Sequence, residues 1–180
     1  LTVLTTDFDY DLPQELIAQT PADPRDSSRL LVLDRHTGEI QHRIFHDILD
    51  YLHPGDVLVA NESRVIPARL HALKVPTGGK VELLLLARRS NSVWESLVKG
   101  RKVDVGQHIA IQTADPAIHI EGEVTAITPS GGRLINFGSP IDDYLDNVGI
   151  MPLPPYIHTT LENGERYQTV YSRVKGSVAA

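Results

Sequence analysis

Apolar and polar positions alternate in short stretches between Arg69 and Phe137, and turn residues separate these stretches. Alternation with a period of two, interrupted by Gly, Pro, Asn and Ser, is typical of a small β-barrel or sandwich. Helical spacing is missing from this block. The pattern predicts strands at Lys80–Arg89, Val93–Lys99, Ile109–Gln112, Ile118–Thr128 and Arg133–Phe137.

The flanks of this block combine strands with short helices. Leu30–Leu33 and Glu39–Phe45 are predicted strands around the turn at His36–Gly38. A third predicted strand, Asp56–Ala60, ends directly before the polar residues Asn61–Arg64, where function is often located. Proline at a first helical position and apolar residues at helical spacing predict helices at Pro13–Gln19, Ile48–Leu52 and, capped by Ser139, Pro140–Val148.

A proline-rich segment, Met151–Tyr156, cannot be helical, because each proline restricts the residue before it to extended geometry. Such a stiff connector is typical of a crossing between domains. The strand-rich block and this connector predict a β-barrel or strongly bent sheet over about residues 70–147, packed beside a mixed part built from both flanks.

Composition narrows the classes of protein to consider. The 180 residues include no cysteine, which excludes disulfides, iron–sulfur clusters, thiolate zinc sites and cysteine nucleophiles. No apolar run approaches the roughly 18 residues of a membrane-spanning helix, and Leu1–Tyr10 lacks the features of a secretory signal. We expect a cytoplasmic protein without a membrane partner, and the first residue, Leu1, suggests part of a longer product.

Charge is divided unevenly along the chain, whose formal net charge is −6. The stretch from Arg64 to Lys102 contains nine basic and two acidic residues, a net charge of +7 that leaves −13 for the rest. A stretch of this kind either solvates the outer face of strands or binds nucleic acid. Both interpretations stay open at this point.

Several common site motifs are absent or incomplete. His42 and His46 share one face of a strand or helix, but two imidazoles without a suitably spaced carboxylate do not make a metal site, and we expect no metal. The chain lacks the Gly-x-Gly-x-x-Gly motif of dinucleotide-binding folds. Thr77–Lys80 is too short for a phosphate loop, and a hairpin turn explains it better.

Polar residues concentrate in three stretches. In the first, Arg25 and Arg29 suit a phosphate or carboxylate, and Asp26 can orient them, although a structural turn closed by Arg–Asp pairing explains the pattern equally well. The second is Asn61–Arg69, at the predicted domain crossing. The third, Arg166–Tyr171, offers stacking surfaces and an amide that can read a base edge. Its structural alternative is a strand that presents Tyr167, Thr169 and Tyr171 on one face.

Five stretches of the sequence belong together: Asp26–Asp34, Asn61–Arg69, Thr77–Glu82, Pro152–Ile157 and Glu165–Tyr171. In this order they resemble the S-adenosylmethionine:tRNA ribosyltransferase-isomerase family of queuosine biosynthesis. The resemblance covers nearly the whole chain and is weakest between Gln107 and Asn147. Mild departures occur at Glu62-Ser63 and Lys99-Gly100, and the chain ends at Ala180 where the family continues for nearly the same length again.

The resemblance implies a fold and a reaction. The fold is an α/β domain, here residues 1–69 and 148–180, that is interrupted by an inserted β-barrel domain of residues 70–147, so the chain is mixed α+β overall. The reaction is that of a transferase and isomerase that moves the ribosyl moiety of S-adenosylmethionine, a co-substrate, onto 7-aminomethyl-7-deazaguanine in the tRNA anticodon. The products are epoxyqueuosine-tRNA, adenine and methionine, and the partner is tRNA carrying that modified base. Neither a permanently bound cofactor nor a metal is implied.

Such a reaction needs a base beside the sulfonium, help for the departing adenine and control of the substrate amine. We expect Asp26 and Glu62 to be the catalytic carboxylates, with Tyr156 or Tyr167 facing the cationic sulfonium. Substrate or tRNA contacts are expected from Arg25, Arg29, Asn61, Arg64, Arg69, Tyr156, Arg166, Tyr167 and Gln168. Five residues at strand ends or crossings are expected to converge on one cleft: Arg25, Asp26, Asn61, Arg64 and Tyr156.

A different class of function remains as the alternative, a non-catalytic RNA-binding β-barrel module. Such a module would hold tRNA but would release no adenine from S-adenosylmethionine. Because the resemblance covers about the first half of the family, we expect the 180-residue chain alone to be inactive as a transferase.

Overall fold

The structure, a computed structural model, describes residues 3–177. The chain forms two compact units. Unit 1 comprises Leu1–Val59 and Pro154–Glu162, and unit 2 comprises Ala60–Leu153 and Asn163–Ala180. In the described part of the chain, no helix has the length and apolar character needed to cross a membrane. The domain boundaries expected from the sequence, 1–69 with 148–180 and 70–147, remain a prediction.

Unit 1 is built around one antiparallel hairpin, β1 (Arg29–Leu33) and β2 (Ile40–Ile44), in agreement with the predicted strands. Its turn is closed by Asp34, whose Oδ1 accepts hydrogen bonds of 2.8 Å from the backbone N–H groups of both His36 and Thr37. These bonds, the one from Thr37 first, lower the pKa of the Asp34 carboxyl because they favour its charged form. The turn chemistry of the sequence thus fixes the register of the hairpin.

The helices predicted for unit 1 are only short 3-10 turns. Gln14–Leu16 replaces the predicted helix at Pro13–Gln19, and Phe45–Tyr51 replaces the one at Ile48–Leu52. Both predictions were therefore wrong in helix type. Neither segment has a buried residue, so no packed apolar face offsets the cost of starting an α-helix.

Unit 2 contains a closed six-stranded antiparallel β-barrel, which confirms the fold class expected from the sequence. The strands are β4 (Arg69–Val75), β5 (Lys80–Arg88), β6 (Val93–Lys99), β7 (His108–Ile111), β8 (Glu121–Ile127) and β9 (Arg133–Asn136). Their order around the barrel is β4-β5-β6-β9-β8-β7, and β7 pairs again with β4 to close it. Closure removes the unpaired edges that an open sheet would expose.

The barrel interior is the hydrophobic core of the described chain. Alternate residues of each strand point inward, and the fully buried ones include Leu70, Leu83, Leu85, Ile109, Val124 and Ile135. Gly122 lies on the same inner face, where an added Cβ would approach side-chain carbons of Ile135 and Phe137 to 2.9 Å. The close packing of these side chains therefore requires glycine at this position.

One charged group is enclosed at the side of the barrel. Glu95 on β6 is 8% exposed and pairs with the guanidinium of Arg89. The hydrogen bond from Arg89 lowers the pKa of the Glu95 carboxyl from its ordinary value of 4.5. Burial opposes this shift, since it disfavours the charged form.

Unit 2 also contains four short elements. They are the parallel pair β3 (Ser63–Val65) and β11 (Val174–Ser177), the α-helix α1 (Leu145–Val148), and β10 (Gly149–Ile150), which pairs with β4. The helix predicted to follow Ser139 begins later, as a 3-10 turn at Asp142–Tyr144, so the predicted cap was wrong. The predicted strand Asp56–Ala60 is also absent, because no described strand pairs with this segment. Met151–Tyr156 is neither helix nor strand, as expected.

Candidate functional site

The candidate site of unit 2 lies where Ala60–Val65 meets the segment 163–174. Gln168 fixes this meeting point: its Oε1 accepts a hydrogen bond of 2.9 Å from the backbone N–H of Val65, and its Nε2 donates one of 2.8 Å to the carbonyl of the same residue. Gln168 is 4% exposed and Val65 3%. The side chain expected to read a base edge is thus engaged with the backbone, and its substrate contact stays a prediction.

Glu62 is held beside this contact by Arg173. The Nε and one terminal nitrogen of Arg173 each lie 2.5 Å from Oε2 of Glu62, and the backbone N–H groups of Arg173 and Val174 donate to the Glu62 carbonyl. The Glu62 side chain is 49% exposed. Within residues 3–177, nothing donates a hydrogen bond to its other oxygen, Oε1. Glu62 therefore presents an oriented carboxylate oxygen to solvent.

A second ion pair, between Arg64 and Glu165, lies on the same two segments. Arg64 is half-buried, whereas Glu165 is exposed, in the middle of a 3-10 turn formed by Gly164–Arg166. Asn163 caps that turn, because its Oδ1 accepts a hydrogen bond of 2.9 Å from the Glu165 backbone N–H. The pair orients a guanidinium whose remaining donors suit a carboxylate or phosphate.

The other predicted residues of unit 2 have mixed roles. Asn61 uses its Oδ1 to accept a hydrogen bond of 2.8 Å from the Ser63 N–H, so it shapes the chain before β3. Arg69, on β4, pairs with Glu82 at 3.5 Å and is one-third exposed. Arg166 and Tyr167 are half-buried in and after the 3-10 turn. Residues 167–171 do not form a strand, so the strand alternative for this stretch was wrong.

The candidate residues of unit 1 form a separate group. Arg25 and Asp26 lie in a 3-10 turn, Arg25–Ser27, which the Ser27 hydroxyl stabilises by donating a hydrogen bond of 2.6 Å to the Pro24 carbonyl. Asp26 is exposed, and in residues 3–177 its carboxylate has no hydrogen-bond or ion-pair partner. Arg29 begins β1 and lines a shallow pocket of about 590 Å³ with His42, Arg43, Ile44 and Asp47.

Tyr156, also in unit 1, is 51% exposed and is presented by a fixed segment. The Gln19 amide donates a hydrogen bond of 3.0 Å to the Tyr156 carbonyl and accepts one of 2.7 Å from the His158 N–H. Arg25, Asp26 and Tyr156 thus belong to unit 1, whereas Asn61 and Arg64 belong to unit 2. Their convergence on one cleft stays a prediction.

Three residues that orient these groups were not singled out from the sequence: Gln19, Glu165 and Arg173. Each acts on a partner more than 100 positions away in the chain, so no local spacing connects them. Opposite charge on two polar stretches, Arg64 on one and Glu165 on the other, is the sole signal that points to such a pair.

Comparison with known proteins places the barrel and its polar segments in a family. Residues 5–180 match the family described as queuosine biosynthesis protein. The chain is 51% identical over 177 residues to a protein of Dehalococcoides mccartyi (strain CBDB1) named S-adenosylmethionine:tRNA ribosyltransferase-isomerase. It is 50% identical over 179 residues to a protein of the same name from Clostridioides difficile (strain 630). Each match covers 98% of this chain and 51% of the relative.

A solved structure is also similar, that of S-adenosylmethionine tRNA ribosyltransferase from Thermotoga maritima, at 46% identity and a TM-score of 0.36. The match covers 77% of this chain and 46% of that one. The chain belongs to the queuosine biosynthesis protein family, which confirms the family expected from the sequence. It spans about half the length of the curated relatives it matches.

Proposed function

We propose that the protein transfers the ribosyl moiety of S-adenosylmethionine to 7-aminomethyl-7-deazaguanine in the tRNA anticodon and isomerises it. The products would be epoxyqueuosine-tRNA, adenine and methionine. The observation that carries this proposal is the 51% identity over 177 residues to a relative that bears the name of this enzyme. A tRNA substrate also favours the cytoplasm as the place of the reaction.

The site geometry supports a division of work among the candidate residues. Glu62 has one carboxylate oxygen held by Arg173 and the other open, an arrangement that suits a hydrogen bond from a ribose hydroxyl. Arg64, oriented by Glu165, suits the carboxylate of the methionine part or a tRNA phosphate. We assign substrate positioning to both residues.

In unit 1, we assign Asp26 and Tyr156 to the sulfonium end of S-adenosylmethionine. The exposed Asp26 carboxylate, unpartnered in the described residues, is available as the base that removes a proton beside the sulfonium. The Tyr156 ring, half-exposed on a segment fixed by Gln19, offers a π-face to the sulfonium cation. The guanidiniums of Arg25 and Arg29 remain proposed phosphate contacts.

The test is an adenine-release assay on the full-length gene product with S-adenosylmethionine and tRNA that carries the 7-aminomethyl base. We expect adenine release that depends on this tRNA. Glu62→Gln should lower kcat/KM by about 10-fold to 100-fold, since one charge-assisted hydrogen bond contributes about 1.5–3 kcal/mol. Glu121→Gln, at an exposed carboxylate of β8, is the matched control and should leave the rate unchanged.

Two results would contradict the proposal. If the wild-type protein binds tRNA but releases no adenine with any tRNA, the protein is an RNA-binding module rather than this transferase. If Glu62→Gln and Glu121→Gln have the same kcat/KM as the active wild-type enzyme, the proposed reaction is retained, but Glu62 does not position the substrate.

A further inference from the structure

The three connections at one end of the barrel carry most of its positive charge. Strand register places these connections together: β4 ends at Val75 opposite His108, the first residue of β7, and Ile127 at the end of β8 pairs with Arg133 at the start of β9. In the β5–β6 register, the backbone of Lys99, the last residue of β6, lies opposite that of Glu82 near the start of β5. Residues 74–80, 99–108 and 127–133 therefore share one end of the barrel, which we call the basic end.

The basic end and the opposite end differ strongly in charge. Within its three ranges the basic end has six Lys or Arg residues and one carboxylate, Asp104, a net charge of +5. The corresponding ranges at the opposite end, 88–93, 111–121 and 136–149, have two Arg residues and five carboxylates, a net charge of −3. The barrel is therefore polarised along its axis. The six cations of the basic end are Lys74, Lys80, Lys99, Arg101, Lys102 and Arg133.

Ion pairing accentuates this division. Among the nine basic residues between Arg64 and Lys102, four lie within ion-pair distance of a carboxylate: Arg64, Arg69, Arg88 and Arg89. None of these four belongs to the basic end. For the other five, residues 3–177 provide no carboxylate partner, and all five lie at the basic end. The basic residues of this stretch that lack a carboxylate partner in the described residues are thus concentrated at the basic end.

The connection 100–107 holds two of these cations in a defined position. Lys74 Nζ donates a hydrogen bond of 3.0 Å to the Arg101 carbonyl, and Arg133 Nε donates one of 2.9 Å to the Val103 carbonyl. Between these anchors, Lys102 has a φ of 53°, in the left-handed region where glycine or asparagine is more favourable. Because this connection is anchored on both sides, the exposed Lys102 side chain extends from a fixed stretch of backbone.

We propose that the basic end of the barrel binds the phosphate backbone of RNA. Uncompensated cations on fixed connections suit phosphates, which supply affinity and register without reading sequence. On the basis of the proposed function, we assign this RNA as the substrate tRNA, and we place the contact outside the nucleotide that is modified. The candidate residues of the transfer reaction are not part of this surface.

Fluorescence anisotropy with a labelled tRNA, titrated across a range of salt concentrations, tests the proposal on the full-length gene product. Arg101→Gln, at the basic end, should weaken binding and lower the magnitude of the salt slope by about 1. The matched control is Arg88→Gln at the opposite end, which removes the same charge from an ion-paired residue and should change neither quantity. Replacing Lys99, Arg101 and Lys102 together by Gln should weaken binding by at least about tenfold.

Lys102→Asn separates binding from stability. Asparagine tolerates the left-handed conformation better than lysine, so the thermal midpoint should stay the same or rise while tRNA binding weakens. Equal effects of Arg101→Gln and Arg88→Gln, or wild-type binding and salt slope in the triple variant, would overturn the proposal. Because anisotropy requires no turnover, an absence of adenine release with intact binding would count against the proposed function alone.

Discussion

Gln168 offers the most direct test of how the candidate site of unit 2 is held together. In Gln168→Ala, the backbone N–H and C=O of the buried Val65 both lose their partner. Two hydrogen bonds at about 1 kcal/mol each give about 2 kcal/mol, and leaving both backbone groups unsatisfied raises the loss to about 4 kcal/mol. We expect the free energy of unfolding to fall by about 2–4 kcal/mol.

The assay is denaturant unfolding followed by the fluorescence of Trp94, the one tryptophan in the sequence, which is 6% exposed in unit 2. Gln112→Ala is the control, because Gln112 is exposed and its side chain has no hydrogen-bond partner among the described residues. Its effect should remain within about 0.5 kcal/mol. Equal midpoints for the two variants would refute the assigned role of Gln168.

A second variant, Gln168→Glu, tests the direction of the two hydrogen bonds. The new carboxylate can still accept from the Val65 N–H, but when charged it faces the Val65 carbonyl without a proton to donate. Protonation restores the donor, so burial and this contact favour the neutral acid. Gln168→Glu should therefore be destabilised at pH 7 and regain stability as the pH falls. Stability that does not depend on pH relative to wild type would contradict this geometry.

Three further predictions concern the barrel and the length of the chain. Because Arg89 lowers the pKa of Glu95, the stability that Glu95 contributes is present above pH 4.5 and is lost as the pH falls through the pKa in the folded state. The free energies of unfolding of wild type and Glu95→Gln should therefore differ at pH 7 and converge at acid pH. Gly122→Ala should lower the free energy of unfolding by about 1–3 kcal/mol, because the added methyl group overpacks the barrel interior. In the same denaturant-unfolding assay, Gly164→Ala should lower it less, because the atom nearest to the added Cβ is 3.6 Å away. Residues 1–180 alone should release no adenine, and release at the full-length rate would contradict this.

The barrel could be predicted from the sequence because its signal is local. Val93–Lys99 has the predicted bounds, and Lys80–Arg88 differs by one residue, since alternation and flanking turns define each strand independently. Asp56–Ala60 failed for the opposite reason. Its apolar residues resemble a strand, but a strand requires a partner, and Val57 and Val59 are 84% and 93% exposed in the structure.

The candidate site could be predicted only in part. The sequence identified the polar stretch that carries Glu62 and Arg64, because it follows an apolar segment and matches a family. It did not identify their partners Arg173 and Glu165, because these contacts join distant positions. For Gln168 it suggested a base contact, which stays a prediction, and it did not suggest the contact of the amide with the Val65 backbone. Residue type alone does not distinguish an amide that reads a ligand from one that completes a buried contact.

In the proposed reaction, the ribosyl group of S-adenosylmethionine, not its methyl group, reaches the tRNA. An isotope-transfer experiment tests this on the full-length gene product with two forms of the donor, one labelled in the ribose carbons and one labelled in the methyl group. We predict that mass spectrometry of the digested tRNA finds the ribose label in the modified 7-deazaguanine nucleoside, with unlabelled product from the methyl-labelled donor. Methyl label in the tRNA, or no label from either donor, would contradict the proposed reaction.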